Sequence, residues 1–425
     1  MKRILFLIYL LPLWALGQSG LHLQYMANAP TGQFYQPALL TEMQMNTLRL
    51  SGGGGAWLKS ASVTYETLQG ISNFLTDDFK RQLIADLDTD NSFQMGYDYN
   101  QMLNFKAGKA RLGISWRNRW GLNGDFENPL SMGLLLRGNA PYAGEIISDE
   151  GIMLRNFRYW ELGLSAASTI GEKVKLGVRA KLLLGQRFLG IENLDYNLFT
   201  ATDGGRITVD GAYDFVFDAV GNEATDNIGL GVDLGIIYDI NEKWRFQAAA
   251  VDIGYINWNA DRYQNSFDLD YEGVDLQDLI TTSDGSNAVF ITDTLRTLLT
   301  PDSTRETFAT SLPMQLSMAI GRKIGEKGQL MLSGHVAPGD IAPRFDQVLV
   351  NLAYHHQFTK WLMLGVNAYG GGPDTYGLGA VGMIQIVKGD ELFVSIYGGM
   401  DNALGLLLPA QGQGSGAQVG VSMGF

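Results

Sequence analysis

Fourteen segments of this chain alternate apolar residues with small or polar ones at period two, and that repetition limits the fold more than any other feature. They run over 45–65, 91–106, 109–120, 151–170, 173–187, 228–240, 243–258, 311–323, 329–337, 344–358, 361–370, 376–387, 391–399 and 415–425. In the sixth, Ile228, Leu230, Val232, Leu234, Ile236, Tyr238 and Ile240 share one face; Gly229, Gly231, Asp233, Gly235, Ile237 and Asp239 share the other. In the fifth, Val174, Leu176, Val178, Ala180, Leu182 and Leu184 oppose Lys173, Lys175, Arg179 and Lys181. A soluble sandwich alternates too, so the connections decide. Six are short: around Gly108, Gly171-Glu172, Asn241-Glu242, Gly325 to Gly328, Thr359-Lys360 and Gly389-Asp390. The connections between them (66–90, 121–150, 188–227, 259–310, 338–343, 371–375 and 400–414) are mostly longer. Short turns on one rim, long loops on the other and an even strand number are the pattern of an all-β, transmembrane antiparallel β-barrel. Its short turns and both termini are periplasmic, and its long loops extracellular.

The start of the chain agrees. Lys2 and Arg3 form a positive n-region, Ile4 to Trp14 an apolar h-region, and Ala15-Leu16-Gly17 a small-x-small site, so residues 1–17 read as a signal peptide cleaved before Gln18. That apolar run is shorter than the roughly 20 residues a spanning helix needs. No later run reaches that length, and a spanning chain without such a helix has to close a barrel. The expected location is the outer membrane of a Gram-negative bacterium.

Composition narrows the chemistry. There is no Cys, which removes thiolate metal sites, thiol nucleophiles and disulfides. Charged residues are only 18%, which suits a surface that faces lipid. Net charge is −13, falling to −15 once Lys2 and Arg3 leave, and this disfavours nucleic acid as a partner. Acid concentrates in loops, at Asp77, Asp78, Asp86, Asp88 and Asp90 and again from Asp261 to Asp284. No cofactor motif is present. The expected partners are outer-membrane lipid, the barrel-insertion machinery, and a small hydrophobic ligand or a secreted protein.

Residues 18–44 read as an N-terminal segment that enters the lumen as a plug, leaving 45–425 as the barrel. Ile71, Leu75, Phe79 and Leu83 fall at helical spacing within Glu66 to Leu87. Asn128 to Arg137 reads as a short helix, 188–227 as a hairpin reaching beyond the membrane, and 273–300 as two short helices. Val419, Val421, Met423 and Phe425 alternate with Gln418, Gly420, Ser422 and Gly424, and this last strand with a terminal aromatic resembles the signal read by the insertion machinery.

Several stretches together resemble a family of Bacteroidota outer-membrane barrels of unknown function. They are Gln24-Tyr25-Met26 with Gln36-Pro37-Ala38, the segment with Asp77-Asp78 and Leu83-Ile84, Asn128-Pro129-Leu130, Arg137-Gly138-Asn139, Tyr159 to Gly163, and Leu176 to Gly185. Relatives often carry Asn-Pro-Ala where this chain has Gln36-Pro37-Ala38. More distantly the layout looks like the FadL-type transporters and the PorV-type barrels of type IX secretion. The first likeness implies a transporter or channel for small or hydrophobic molecules. The second implies a non-conducting barrel that anchors or shuttles a partner. Neither implies an enzyme.

Four groups of residues are candidates for function. Lys173, Lys175, Arg179 and Lys181 share one face, and Arg111, Arg117 and Arg119 share the inward face of another strand. They are either a lumenal selectivity stripe or, the preferred reading, half of a neutralised network with Asp233 and Asp239. Gly52-Gly53-Gly54-Gly55 inside the first span marks a bend or close approach; in FadL-like transporters a wall kink opens sideways for cargo. Asp86 to Asn91 hints at a Ca²⁺ loop, but Asn91 and Tyr97 stand where an EF-hand needs Gly and Glu. Ser333 and His335 share a face some 6–7 Å apart along a strand, without a third partner. Trp57, Trp116, Trp120, Trp160, Trp244, Trp258 and Trp361 near span ends read as interfacial girdles.

Overall fold

The computed structural model describes residues 26, 29–45, 47–60, 62–64, 66–67, 76–89, 91–217, 226–272, 302–337, 348–371, 376–388, 392–404, 408, 410 and 412–425. Its strands are β1 (Leu48–Ser60), β2 (Asn91–Ala107), β3 (Ala110–Phe126), β4 (Ile146–Asp149), β5 (Met153–Ile170), β6 (Val174–Thr200), β7 (Ile207–Phe217), β8 (Ile228–Asp239) and β9 (Trp244–Tyr271). They continue with β10 (Asp302–Ser311), β11 (Gln315–Ile324), β12 (Gly328–Val336), β13 (Leu349–Thr359), β14 (Leu362–Gly370), β15 (Tyr376–Lys388), β16 (Leu392–Met400) and β17 (Gly414–Gly424).

Fourteen of these form a closed antiparallel wall, each of the fourteen expected spans supplying one strand. β1 closes the wall by pairing with β17, from Arg49↔Gly424 to Lys59↔Gly414. The final residue completes the seam: Phe425 donates its N–H to the Leu48 carbonyl (2.8 Å), and its own oxygen accepts from Thr47 N (2.6 Å). β4, β7 and β10 lie outside the wall. β7 pairs with the distal halves of β6 and β9, and β10 with β9.

Polarity is inverted relative to a soluble protein. Leu230, Leu234, Val366, Val421 and Met423 are exposed on the outer face, while Arg179, Lys181, Asp233, Asn351 and Ser422 are buried on the inner one. An apolar face turned outward all round a closed sheet fits hydrocarbon. The short turns follow the chemistry that their residues allow. Gly108, Gly171 and Gly325 adopt φ of 62°, 63° and 63°, the left-handed region that glycine enters without a Cβ clash. Asn241 Oδ1 accepts from Lys243 N and Trp244 N at 2.9 Å, and Thr359 Oγ1 from Leu362 N at 3.1 Å. The turn at Gly389-Asp390 lies outside the described residues.

Strands β3, β6 and β9 run well past their expected ends, to Phe126, Thr200 and Tyr271. Beyond the hydrocarbon neither face has to be apolar, so the alternation that marks a span fades while pairing continues. The distal halves of β6 and β9 with β7 form a sheet above the wall, and the hairpin within 188–227 is its core. Arg262 ties this sheet together. Its Nε donates to Asp214 Oδ1 (2.8 Å), which holds that carboxyl below its ordinary range, and its Nη1 donates to Glu306 (3.1 Å).

α1 (Asp77–Asp86) begins at Thr76, whose hydroxyl accepts from Phe79 N. It is shorter than expected, and Ile71 and Leu75 lie outside the described residues, as do 273–300 and residues 1–17. α2 (Pro129–Arg137) is capped by Asn128, which accepts from Leu130 N at 2.9 Å. Gly52 to Gly55 lie in uninterrupted ladders with both β2 and β17, so regular strand stands where a kink was expected. Two of the girdle tryptophans are also displaced. Trp258 is fully buried on the inner face, and Trp57 lines a cavity inside the barrel.

The outward face yields a test. Val366, 59% exposed at the middle of β14, should lie near the bilayer midplane. Val366→Lys is expected to cost about 2–4 kcal/mol, read as a lower urea midpoint in lipid vesicles.

Candidate functional site

The lumen is filled from below by residues 29–45. This segment forms two 3₁₀ turns, Pro30–Phe34 and Pro37–Glu42, each with proline in its first turn, where the missing N–H costs nothing. Its apolar side chains pack on the inner wall. Met26 and Ala29 meet Val381, Met383 and Tyr397; Ala38 and Leu39 meet Ile237; Leu40, Met43 and Met45 meet Ala167. The closest approach is at Gly177 and Gly235. A Cβ on Gly177 would lie 2.3 Å from the Pro37 carbonyl carbon, and one on Gly235 2.0 Å from Gln36 Oε1. Gln36 Nε2 donates to the Ala248 carbonyl (3.0 Å) on the adjoining strand.

Charge fixes both ends of this plug. At the short-turn rim Glu42 accepts from Lys175 (2.6 Å) and Arg245 (2.7 Å), and Asp239 accepts from the same two cations (2.5 and 2.6 Å). Higher up, Phe34 lies between two guanidinium groups, 4.7 Å from Arg117 and 4.2 Å from Arg179, measured from guanidinium carbon to ring centroid. Arg179 also donates to the Gln33 carbonyl (3.0 Å).

Arg117 and Arg179 belong to a belt of buried charge. Arg117 pairs with Asp98. Arg179 reaches Asp233 at 3.2 Å, and Lys181 reaches both Asp233 and Asp252 at 2.5 Å. Arg119 of β3 meets Asp252 of β9 at 2.7 Å, although β5, β6 and β8 stand between those strands around the wall. Glu161, the cross-strand partner of Arg117, is fully buried beside them. Four cations face four carboxylates, so the belt is neutral as a set. Of the residues read from sequence, Arg117, Arg119, Arg179, Lys181 and Asp233 meet in this belt, while Lys175 and Asp239 meet at the rim. Lys173 falls outside the belt: the residue is exposed on the rim, where its Nζ donates to the Ile240 carbonyl (3.3 Å). Arg111 joins no ion pair among the described residues.

Asp252 is where the wall departs from regular pairing. Its φ is 59°, the only positive value among described non-glycine residues. The β8–β9 register slips there, between Val232 and Leu234. On its other side β9 pairs with β11 up to Val251↔Gln315 and with β10 from Tyr255↔Ser311. Between these stretches Leu312 N still donates to the Gly254 carbonyl (2.9 Å), while Pro313, opposite Ile253, has no N–H to give. A left-handed aspartate costs on the order of 1–3 kcal/mol. It is held by Lys181, by Arg119 and by its own N–H donating to Asp233 Oδ1 (2.7 Å). A small cavity of about 40 Å³ lies beside it, lined by Phe34, Trp57, Asp98, Arg117, Asp252 and Pro313 among others.

Above the belt the inner face turns apolar. Tyr159, Leu183, Phe188, Val216, Ile256, Trp258, Ala260 and Leu312 form one buried cluster, with Phe157 and Phe308 against it. Phe188 lies 5.3 Å from Trp258 and 5.2 Å from Phe308, centroid to centroid. On β12 to β14 the inner face carries uncharged polar side chains. Ser333 and His335 sit closer than strand spacing suggests, because their side chains lean together to an Oγ–Nε2 distance of 3.0 Å. Asn351 and Asn367 extend that ladder, at 2.8 Å from each other. No group of three or more His, Asp or Glu among the described residues is placed to hold a metal, and Asn91 Oδ1 is taken up by Asp88 N, from which it accepts at 2.9 Å.

Sequence reading missed Glu42, Asp98, Glu161, Asp252 and the inward Trp57 and Trp258. For Asp252 a signal existed. Arg245 and Gln247 set an odd-numbered polar face, and Asp252 breaks it by one residue.

Residues 37–386 match the model of a family of unknown function, DUF5723. No curated protein matches the sequence. Among solved structures the fold is similar to a Pseudomonas putida toluene transporter, TodX (8% identity, 93% of this chain and 92% of that one, TM-score 0.47). It is also similar to the Ralstonia pickettii toluene transporter TbuX (10%, 93% and 93%, 0.48) and to a Pseudomonas aeruginosa FadL homologue (10%, 96% and 96%, 0.48).

The belt predicts a coupling. Asp252→Asn leaves Arg119 and Lys181 short of a charge, and breaking one side of a buried pair costs about 3–5 kcal/mol. The heat-induced unfolding midpoint should fall accordingly. Adding Arg119→Gln should restore part of the loss, since the stranded cation is then gone.

Proposed function

Because the chain belongs to this family of unknown function, which brings no activity with it, we propose from geometry alone that it is an outer-membrane transport barrel for small hydrophobic molecules. The observation that carries the reading is the apolar cluster around Phe188 and Trp258 on the lumen side. A channel for polar solutes keeps a polar interior. Here aromatic side chains cover the inner face above the belt, while the plug and the ion belt close the way below for water and ions. An apolar solute held among Phe188, Trp258 and Leu312 would lie next to the gap that Pro313 leaves in the ladder at 252–253. The side route therefore belongs between β9 and β11 rather than at Gly52 to Gly55.

A second reading keeps one specific support. β6 has 27 residues and β9 has 28, against the roughly 9–11 that a span needs. The sheet they form above the wall is a platform on which a partner protein could be anchored, with no transport at all.

Two measurements bear on these readings. In planar bilayers the intact protein should show no steady conductance under either reading and a variant lacking 18–44 should conduct, which tests the plug; tracer entry then decides between the readings. In liposomes the intact protein should speed entry of a small aromatic tracer, and Leu312→Asp should cut that rate about tenfold. Tracer entry equal to that of protein-free liposomes would remove the transport reading and leave the platform.

A further inference from the structure

The outer face carries a crease that neither reading uses. It has a volume of about 980 Å³ and follows matched residues across six wall strands. One outward row runs Ser168, Leu176, Ile236, Ala248, Met318 and Gly334, each the cross-strand partner of the next. The adjoining outward row runs Ala166, Val178, Leu234, Ala250, Leu316 and Val336, paired in the same way. Between the rows the floor is strand backbone at Ala167, Gly177, Gly235, Ala249, Ser317 and His335.

The inside of the barrel explains the shape. Gly177 and Gly235 present no side chain inward, and Pro37 and Ala38 of the plug rest directly on their backbone. Ala167 and Ala249 add little bulk. The wall there is one backbone thick and sits on the plug. Outside, Ala166, Ala248, Ala250 and Gly334 leave the crease unfilled, and a Cβ at Gly334 would meet nothing within 4 Å.

Dimensions choose the occupant. Five strand intervals at about 4.8 Å give a length of roughly 24 Å, running obliquely to the membrane normal because barrel strands tilt by about 35–45°. Two rows lie about 7 Å apart along a strand, narrower than the 10–12 Å of a helix with its side chains. No charged residue lines the crease, so a headgroup does not belong in it. It is continuous at both ends with the lipid-facing surface, where hydrocarbon chains are always at hand. We propose that this crease is a binding site for the acyl chain of a membrane lipid, held lengthwise between the two rows. The site does not rest on the transport reading, since a barrel that carries nothing can hold a lipid.

The test uses the full-length barrel refolded in dioleoyl phosphatidylethanolamine, exchanged repeatedly into short-chain detergent and weighed by native mass spectrometry. The wild type should keep one lipid per barrel. Ala248→Leu with Ala250→Leu and Gly334→Leu should lower the lipid-bound fraction at least tenfold. Ala368→Leu, on the outer face of β14, should leave it unchanged. Equal retention in wild type and triple variant, or none in a folded wild type, would overturn the proposal. Should the triple variant fail to fold, the absence of native Cys allows a second measurement. A fluorophore on Ala250→Cys should be quenched by nitroxide-labelled acyl chains more strongly than one on Ala368→Cys, and equal quenching would sink the idea.

Discussion

A closed sheet that turns its apolar side chains outward must satisfy a polar interior from its own residues, and most of this structure follows from that requirement. An unpaired buried charge costs several kcal/mol, so the inner face has to supply both signs within reach of one another. The belt does this across the lumen rather than only between neighbouring strands. Arg119 and Asp252 join β3 to β9, and Lys181 bridges two carboxylates. Such links hold the wall in one cross-section. They also explain why the lumen has so little free volume beside Phe34.

The plug and wall are complementary for the same reason. Residues 29–45 bring Glu42 to two cations and Phe34 to two guanidinium groups. They offer little surface to glycines that could not admit a larger residue. A segment fixed at so many points is part of the barrel's interior. Its fit therefore follows from side-chain chemistry on both partners.

Much of this was legible in the chain. Alternation located all fourteen wall strands, because outside lipid and inside polarity impose opposite demands on successive residues. Asn128 and Gly108 announced a helix cap and a turn through their own chemistry. The failures lie where that logic stops applying. Above the membrane no solvent contrast marks a strand, so the distal half of β9 and β10 went unread, and 188–227 was legible as a hairpin only through the alternation it retains. Trp57 and Trp258 were assigned to lipid because tryptophan favours interfaces, while their phase along the strand points inward. Arg119 and Asp252 are 133 residues apart. Nothing local could say that they meet.

Asp252 shows how the remaining irregularity arises. A bulge adds one residue, shifts the phase, and sets a carboxylate into the lumen between Lys181 and Arg119. On the other edge of β9 the register with β10 and β11 is unshifted, and there Ile253 faces Pro313, which cannot donate to the ladder. The bulge supplies the anion that completes the belt, and the proline beside it thins the wall's pairing next to the apolar cluster. Gly52 to Gly55 keep regular pairing on both sides and have no such device beside them. What breaks a strand's regularity here is what it must deliver inward, and that is a single aspartate.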